Sequence, residues 1–339
     1  MTKPHAIFIL GAPRSGTKLL RHLLNNHSDI SLGHEGNYIP VFVRRFGIDA
    51  DLSQRSVQQK IYQEFSRTAF YTTQIKDNGI ELSATAFMDA LASREGQELP
   101  ITWSSIFEVL LRAYGPKPEA RIYGDKSHGY MDAATLTLLR TVLDDVRFIF
   151  IVRDPRDQAL SALKTWGRHP LRSAHHWLSV ARSAERLGFD AAPDVITVRY
   201  EDLTDNTGEA LKRLCTFLQV PYEPDMAALK GPAEREIRGR QLKSVTKQHA
   251  KYRNALSARV VKSVSEITLP YLARYGYPDE GATRHRTLTP TRLRLMSLSD
   301  GFATLQFHMK EKGWLKGASY YLRRHFESSS AKRLSQTSD

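Results

Sequence analysis

The stretch that decides the fold runs Ala6-Ile7-Phe8-Ile9-Leu10 and continues as Gly11-Ala12-Pro13-Arg14-Ser15-Gly16-Thr17. The apolar run is typical of a buried strand, and leucines then recur at helical spacing at positions 19, 20, 23 and 24. Two glycines five positions apart let the backbone curl between strand and helix. Because the first N–H groups of a helix favour an anion, this stretch predicts a phosphate-binding loop.

The loop differs from that of nucleotide-hydrolysing proteins. Their P-loop reads G-x-x-x-x-G-K-[ST], in which the lysine binds phosphate and the following hydroxyl binds Mg²⁺. Here Thr17 holds the lysine position and Lys18 the hydroxyl position, so the metal-binding pattern is broken. Arg14 supplies a cation inside the loop, and its guanidinium can bind two phosphate oxygens. A glycine-rich turn that binds no ligand is the structural alternative.

A second apolar run, Phe148-Ile149-Phe150-Ile151-Val152, leads into Arg153-Asp154-Pro155-Arg156-Asp157, and Ser161 lies eight residues after Arg153. In open parallel α/β sheets, ligands bind outside the carboxyl ends of the strands. We therefore expect Arg14 and Arg153 to face one crevice. A polar strand end followed by a helix cap is the simpler reading of this run taken alone.

Together these two stretches resemble the sulfotransferases that take sulfate from 3′-phosphoadenosine 5′-phosphosulfate (PAPS), nearest to the bacterial and tyrosylprotein types. The resemblance extends over most of residues 5–277. It implies an α/β fold with a parallel, P-loop-like sheet, a helical insertion and a helical C-terminal extension. It also implies donor contacts by the 5′-phosphosulfate loop and its flank, by the 3′-phosphate residues, and by a basic segment near the C-terminal end of the domain: Arg14, Ser15, Gly16, Thr17, Lys18, Arg153, Ser161, Lys243, Ser244 and Lys251.

The resemblance implies two candidate bases for the proton of the acceptor hydroxyl. Residues 30–33 predict a short extended piece that delivers His34 and Glu35 to the sheet edge. In tyrosylprotein sulfotransferases a Gly-Glu-Glu segment follows the loop at a similar spacing, and its second glutamate, the base, corresponds to Glu35. His34 replaces the first glutamate, which leaves open whether the two groups share the proton.

The second candidate base lies in Asp125-Lys126-Ser127-His128, after a strand predicted at residues 121–124. Cytosolic sulfotransferases carry Lys-Thr-His at this strand end, which implies His128 as the base and Lys126 as a contact of the transferring group. Lys126 and Arg14 are expected to neutralise charge that develops on the bridging oxygen of the donor. The choice between Glu35 and His128 stays open at this point.

Composition limits the remaining functions. The 339 residues are 41% hydrophobic and carry a net charge of +13, of which +7 lies in residues 234–262 and +6 in residues 280–339. The basic segments carry no nucleic-acid-binding motif, and a polyanionic donor, an acidic acceptor or an anionic membrane surface explains the charge equally well, as do solvated helix faces. No Cys/His spacing suggests a metal, and we expect none to be required.

We expect a sulfotransferase domain at residues 1–280 and a basic helical extension at 281–339 that docks on the core, dimerises or rests on a membrane. No apolar run reaches the length of a membrane span, no secretory signal is evident, and the only cysteine is Cys215, so a cytoplasmic location is expected. Other expected strands are 147–152 and 195–198, and residues 40–118 form a helical insertion with these packing residues: Phe65, Phe70, Phe87, Trp103, Phe107 and Leu110.

The sequence therefore predicts an enzyme that moves a sulfuryl group from PAPS to a hydroxyl acceptor, with a glycan or glycolipid preferred. A tyrosyl or phenolic acceptor is the first alternative. A P-loop kinase and a non-catalytic anion-binding protein are the alternatives from other functional classes.

Overall fold

The computed structural model describes residues 5–75, 79–228 and 249–319. Its strands are β1 (His5–Leu10), β2 (Ile30–Leu32), β3 (Ile122–Lys126), β4 (Val146–Val152) and β5 (Val195–Arg199). The helices up to residue 150 are α1 (Thr17–Leu24), α2 (Ile39–Phe46), α3 (Arg55–Ser66), α4 (Ala69–Thr73), α5 (Ala84–Glu95), α6 (Trp103–Ala113) and α7 (Ala133–Val142). Later helices are α8 (Pro155–Trp166), α9 (Pro170–Arg186), α10 (Tyr200–Asp205), α11 (Thr207–Leu218), α12 (Tyr252–Ala255), α13 (Ala258–Leu272) and α14 (Pro290–Lys312).

The five strands of the described residues form one parallel sheet in the order β2-β3-β1-β4-β5. β1 is central and pairs with β3 at Ile7↔Gly124 and with β4 at Ile7↔Arg147. Residues 6–10 are fully buried, as expected for a parallel strand covered on both faces. The predicted α/β class and strands are confirmed, and the extended piece at residues 30–33 contributes β2 at one edge.

The helical insertion between β2 and β3 comprises α2 to α6. Of its predicted packing residues, the following are buried: Phe65, Phe87, Trp103, Phe107 and Leu110. Phe70 lies against Tyr114, with ring centroids 5.1 Å apart, and against Phe65 at 6.2 Å. Edge-to-face and tilted rings at these distances add to the stabilisation that burial alone supplies. The aromatic residues therefore build the core of the insertion, as the packing interpretation predicts.

The chain forms two compact units. The first contains Met1–Gly11, Gly16–Val152 and Ser183–Lys247, and the second contains Ala12–Ser15, Arg153–Arg182 and Gln248–Asp339. The sheet and the helical insertion belong to the first unit. The predicted domain boundary near residue 280 stays a prediction.

A buried ion pair anchors the start of α8 in the second unit. Arg156 is fully buried and donates from Nε and Nη2 to the two carboxylate oxygens of Asp154, at 2.7 and 2.6 Å. Its Nη1 donates to the carbonyl of Pro278 at 2.6 Å. A guanidinium that is paired and hydrogen-bonded in this way meets the cost of removing it from water, so α8 is held to the chain near residue 278.

The predicted helical C-terminal extension is present as α14, which packs within the second unit. Its buried Asp300 accepts hydrogen bonds from the backbone N–H of His169 at 2.8 Å and from Nη1 of Arg172 at 2.7 Å. Gly167 faces Ala303 so closely that an added Cβ would lie 3.0 Å from the methyl group. These contacts dock one side of α14 on the segment that joins α8 and α9.

Candidate active site

The loop after β1 has the backbone of an anion cradle. Gly16 caps α1 with φ 99° and, as a glycine, offers no side chain to the first N–H groups of this helix. A Cβ at Gly16 would lie 2.2 Å from the ring of Tyr200, so only glycine fits there. Arg14 also has a left-handed backbone, with φ 72°. Such strain concentrates in ligand-binding turns, and uncapped N–H groups at a helix start attract anions.

Ser15 supplies an independent sign of a ligand. Its side chain is fully buried, yet its Oγ has no hydrogen-bond partner within residues 5–75, 79–228 and 249–319. A buried hydroxyl without a partner costs about 1–3 kcal/mol, which a ligand oxygen in this position removes. The loop therefore fits a phosphate-bearing ligand on structural grounds.

Arg14, Arg153 and Ser161 come together within the second unit. Arg14 donates from Nε to the Oγ of Ser161 at 3.1 Å, and Arg153 donates from Nη1 to the carbonyl of Arg14 at 3.3 Å. The guanidinium of Arg14 lies over the ring of Trp166, 5.3 Å from its centroid. Residues from two separate stretches of sequence, the loop after β1 and the end of β4 with α8, thus form one cationic cluster of Arg14, Arg153 and Ser161, which we call the arginine cluster.

Gln158 supports the loop that carries Arg14. Its buried side chain donates from Nε2 to the carbonyl of Pro13 at 2.7 Å, which fixes the loop one residue before Arg14. The indole N–H of Trp177 in turn donates to the carbonyl of Arg153 at 2.8 Å. These backbone anchors leave the two guanidinium groups oriented by the fold rather than by solvent, which lowers the entropy cost of binding an anion.

In the first unit, Glu35 and Lys126 form an ion pair at 3.1 Å. The sheet register explains the pairing, because β2 runs parallel to β3 with Leu32 opposite Gly124, so both strands end at the same edge. The side chain of Lys126 is 9% exposed and that of Glu35 is 26% exposed. A carboxylate beside an ammonium in this setting can accept a proton while the cation stabilises negative charge.

His34 lies among cations. Burial, together with the charges of Arg21, Lys126 and Lys18, lowers the pKa of the His34 imidazole to about 3. The side chain is therefore neutral at physiological pH and holds no proton as an imidazolium. A neutral His34 favours Glu35 as the group that takes the proton, and sharing of the proton between the two side chains stays a prediction.

His128 contacts the loop after β1. Its Nδ1 lies 2.8 Å from the carbonyl oxygen of Gly11, which fits an Nδ1–H donor. A neutral imidazole that donates from Nδ1 carries its lone pair on Nε2, the form that a general base needs. The geometry therefore keeps His128 as an alternative to Glu35.

Asp125 is the residue that sequence reasoning overlooked, although it precedes Lys126 in the same motif. It is 1% exposed, and its carboxylate accepts from the backbone N–H of Gly36 at 3.2 Å and from the hydroxyl of Ser127 at 2.9 Å. It thus ties the residue after Glu35 to the residue before Lys126. Burial raises the pKa of Asp125 to about 7, against the opposing effect of these two hydrogen bonds.

The raised pKa of Asp125 predicts a pH-dependent stability. An unfolded aspartate titrates near its ordinary value of 3.8, so between this value and about 7 the native state holds a proton that the unfolded state has lost. The stabilising contribution is therefore present at acid pH and is lost as pH rises through about 7. The free energy of unfolding of the unmodified protein, relative to Asp125→Asn, should fall by on the order of 4 kcal/mol across this range.

Urea unfolding between pH 4.5 and 8 measures this difference. Asp29→Asn is the matched control, because the hydrogen bond from Arg121 lowers the pKa of Asp29 and keeps it ionised throughout. It should shift stability by an amount that does not vary with pH. An Asp125→Asn profile parallel to that of the unmodified protein contradicts the assignment.

Comparison with known proteins identifies the chain. The sequence model of the sulfotransferase family matches residues 4–224. The chain belongs to the sulfotransferase family. Among curated proteins none matches it.

The chain is similar to several solved structures, and the first of those named here shares its fold. The sulfotransferase domain of the Synechococcus PCC 7002 olefin synthase is 20% identical, with a TM-score of 0.52 over 82% of this chain and 97% of that domain. The sulfotransferase domain of the curacin biosynthetic pathway is 21% identical, with a TM-score of 0.49 over 81% and 98% of the two chains. Retinol dehydratase in complex with androsterone and the inactive cofactor PAP is 15% identical, with a TM-score of 0.41 over 86% and 84%.

The predicted recognition, fold class and enzymatic character are confirmed, and the family assignment favours sulfuryl transfer over a P-loop kinase. Other predicted donor residues of this sulfotransferase differ in environment. Thr17 is buried at the first turn of α1, Lys18 is exposed, and Lys251 is exposed directly before α12. Lys243 and Ser244 lie outside the described residues.

In ranges 5–75, 79–228 and 249–319, no group of three or more His, Cys, Asp or Glu side chains has the arrangement of a metal site. Across the same part of the chain, each helix is too short or too polar to cross a bilayer.

Proposed function

We propose that this sulfotransferase moves a sulfuryl group from PAPS to a hydroxyl of a carbohydrate or glycolipid. The arginine cluster of Arg14, Arg153 and Ser161 is the observation that carries the proposal. Two guanidinium groups and a hydroxyl, anchored by backbone contacts, suit a terminal phosphate, which offers several oxygens to charged donors.

The two phosphate-bearing ends of the donor are assigned to different residues. Arg14, Arg153 and Ser161 bind the 3′-phosphate. Ser15 Oγ, Gly16 and the first two residues of α1, Thr17 and Lys18, bind the 5′-phosphosulfate. Lys243, Ser244 and Lys251 complete the donor contacts, as the family resemblance implies. The contacts of Arg14 with Ser161 and Trp166 place its side chain beside the residues assigned to the 3′-phosphate, and its predicted role at the bridging oxygen stays a prediction.

Glu35 acts as the general base in this proposal. The donor supplies the sulfuryl group: as the acceptor oxygen forms its bond to sulfur, the bond between sulfur and the 5′-phosphate oxygen breaks and adenosine 3′,5′-bisphosphate leaves. Glu35 takes the acceptor hydroxyl proton on a carboxylate oxygen, while Lys126 stabilises negative charge on the transferring group. Neutral His34 completes the polar surroundings, and Asp125 positions both segments through Gly36 and Ser127. No metal enters the proposed reaction.

The acceptor is assigned to the carbohydrate or glycolipid class because the exposed basic and apolar side chains of the C-terminal helix suit an amphiphilic acceptor better than a small phenol. A tyrosyl or phenolic acceptor is the second candidate, favoured by the resemblance of the Glu35 segment to the tyrosylprotein type. The proposal retains the cytoplasmic location, on the basis of the single buried thiol of Cys215.

Transfer of ³⁵S-sulfate from PAPS tests the proposed function. Separate reactions should contain a glycolipid extract, soluble oligosaccharides, a tyrosine-containing peptide or 4-nitrophenol. We expect label in the first or second pool, and at least about 100-fold less label with Glu35→Gln at the same protein concentration. Label confined to the peptide or phenol reassigns the acceptor class, whereas absence of transfer to every pool supports a non-catalytic anion-binding protein.

A further inference from the structure

One side of α14 is apolar and exposed. Leu295, Leu298 and Phe302 are 64%, 73% and 63% exposed, whereas the large apolar side chains of the core are buried. Their i, i+3, i+7 spacing places them on one stripe of the helix. Half-buried Leu305 and Met309 continue the stripe at the same spacing. Beyond the helix, Trp314 and Leu315 are 78% and 84% exposed.

Cations border this apolar stripe. By helical geometry Arg292 and Lys310 lie along one edge of the stripe and Arg294 along the other, and all three side chains are exposed. The helix contains two acidic residues, Asp300 and Glu311. Asp300 is buried in its contact with Arg172 and contributes no negative charge to the surface.

The opposite side of α14 is already occupied. Asp300 and Ala303 dock the helix on the segment between α8 and α9. The exposed stripe is therefore not the side through which α14 packs within its own unit, because the contacts of Asp300 and Ala303 hold the helix through its other side. An apolar stripe of this size rimmed by charged residues marks an interaction surface.

The charge pattern decides between two occupants. Antiparallel pairing with a second copy would bring Arg292 and Arg294 of one helix close to Lys310 of the other, and like charges disfavour that contact. An anionic lipid surface instead attracts the cations and accepts the apolar side chains between its headgroups. We propose that the α14 stripe, with Trp314 and Leu315, binds the surface of an anionic membrane. This inference does not rest on the proposed enzymatic reaction.

Vesicle sedimentation tests the inference with the full chain and without donor or acceptor. Vesicles of 3:1 phosphatidylcholine and phosphatidylglycerol are compared with vesicles of phosphatidylcholine alone. We expect binding to the anionic vesicles that weakens at 0.5 M salt, and binding at least about tenfold weaker to neutral vesicles.

The double variant Leu298→Ser/Phe302→Ser should weaken binding to the anionic vesicles by about tenfold or more. Its matched control is Ile48→Ser/Leu99→Ser, which removes two exposed apolar side chains elsewhere, 44% and 42% exposed, and should bind as the unmodified protein does. Equal binding by both double variants overturns the inference. So does failure of the unmodified protein to bind anionic vesicles, and a dimer in sedimentation velocity that Leu298→Ser/Phe302→Ser abolishes would then identify a second copy as the occupant.

Discussion

Replacement of Glu35 by glutamine is expected to lower kcat by about 100- to 10,000-fold, the range that a positioned general base contributes. In the unmodified protein, Lys126 donates from Nζ to Oε2 of Glu35 at 3.1 Å. Glutamine retains the length of the side chain and an oxygen that can accept this hydrogen bond. The substitution therefore removes basicity with little change in position. Affinity for adenosine 3′,5′-bisphosphate (PAP), measured by calorimetry, should stay within about twofold, since no donor contact is assigned to Glu35.

The matched control for this prediction is Glu209→Gln. Glu209 also pairs with a lysine, Lys212, at 2.8 Å, but it is 75% exposed and lies on α11. We expect its kcat to be unchanged. His128→Gln tests the rival base directly, because a large loss of kcat in His128→Gln combined with near-normal turnover in Glu35→Gln would transfer the role of base to His128.

The second large effect is expected for Arg153→Ala, which should weaken PAP binding by about 10- to 100-fold. Hydrogen bonds to charged groups contribute about 1.5–3 kcal/mol each, and about 1.4 kcal/mol corresponds to a factor of ten in affinity. Because Arg153 is assigned to the 3′-phosphate, the affinity for adenosine 5′-monophosphate should hardly change. Arg153→Lys keeps the positive charge but loses the planar guanidinium. Its affinity for PAP should therefore lie between that of the unmodified protein and that of Arg153→Ala.

Arg259→Ala is the control for Arg153→Ala. Arg259 lies in the same unit, on α13, and is exposed. Its removal lowers the net charge by the same amount and should leave both nucleotide affinities unchanged. A parallel loss of affinity for PAP and for the monophosphate in Arg153→Ala would contradict the assignment to the 3′-phosphate.

Much of the fold was predictable because the strands of a parallel sheet are short apolar runs, and the runs at residues 6–10 and 147–152 are plain in the sequence. The proximity of Glu35 and Lys126 could be predicted for a similar reason. Each residue follows a predicted strand, and parallel strands deliver their carboxyl ends to one edge. Local sequence therefore predicts the position of a site residue when that residue directly follows a strand.

The side-chain environments were less predictable. The raised pKa of Asp125 depends on its burial, and that burial involves contact with Gly36, which lies 89 residues away in sequence. Likewise, no local pattern indicates that the Arg14 guanidinium stacks on Trp166 and binds Ser161, which is 147 residues away. Such long-range contacts determine pKa values and side-chain directions, and they are set by tertiary packing rather than by spacing.

The central claim is that this chain binds a nucleotide through phosphates at its 3′ and 5′ ends, and calorimetric titration of the unmodified protein with PAP tests it most directly. Adenosine 5′-monophosphate and ATP with Mg²⁺ are titrated in parallel. We expect PAP to bind at least about tenfold more tightly than either, since only PAP presents a 3′-phosphate to Arg153 and Ser161. Binding of ATP with Mg²⁺ in preference to PAP, or no heat of binding with PAP, would contradict the account.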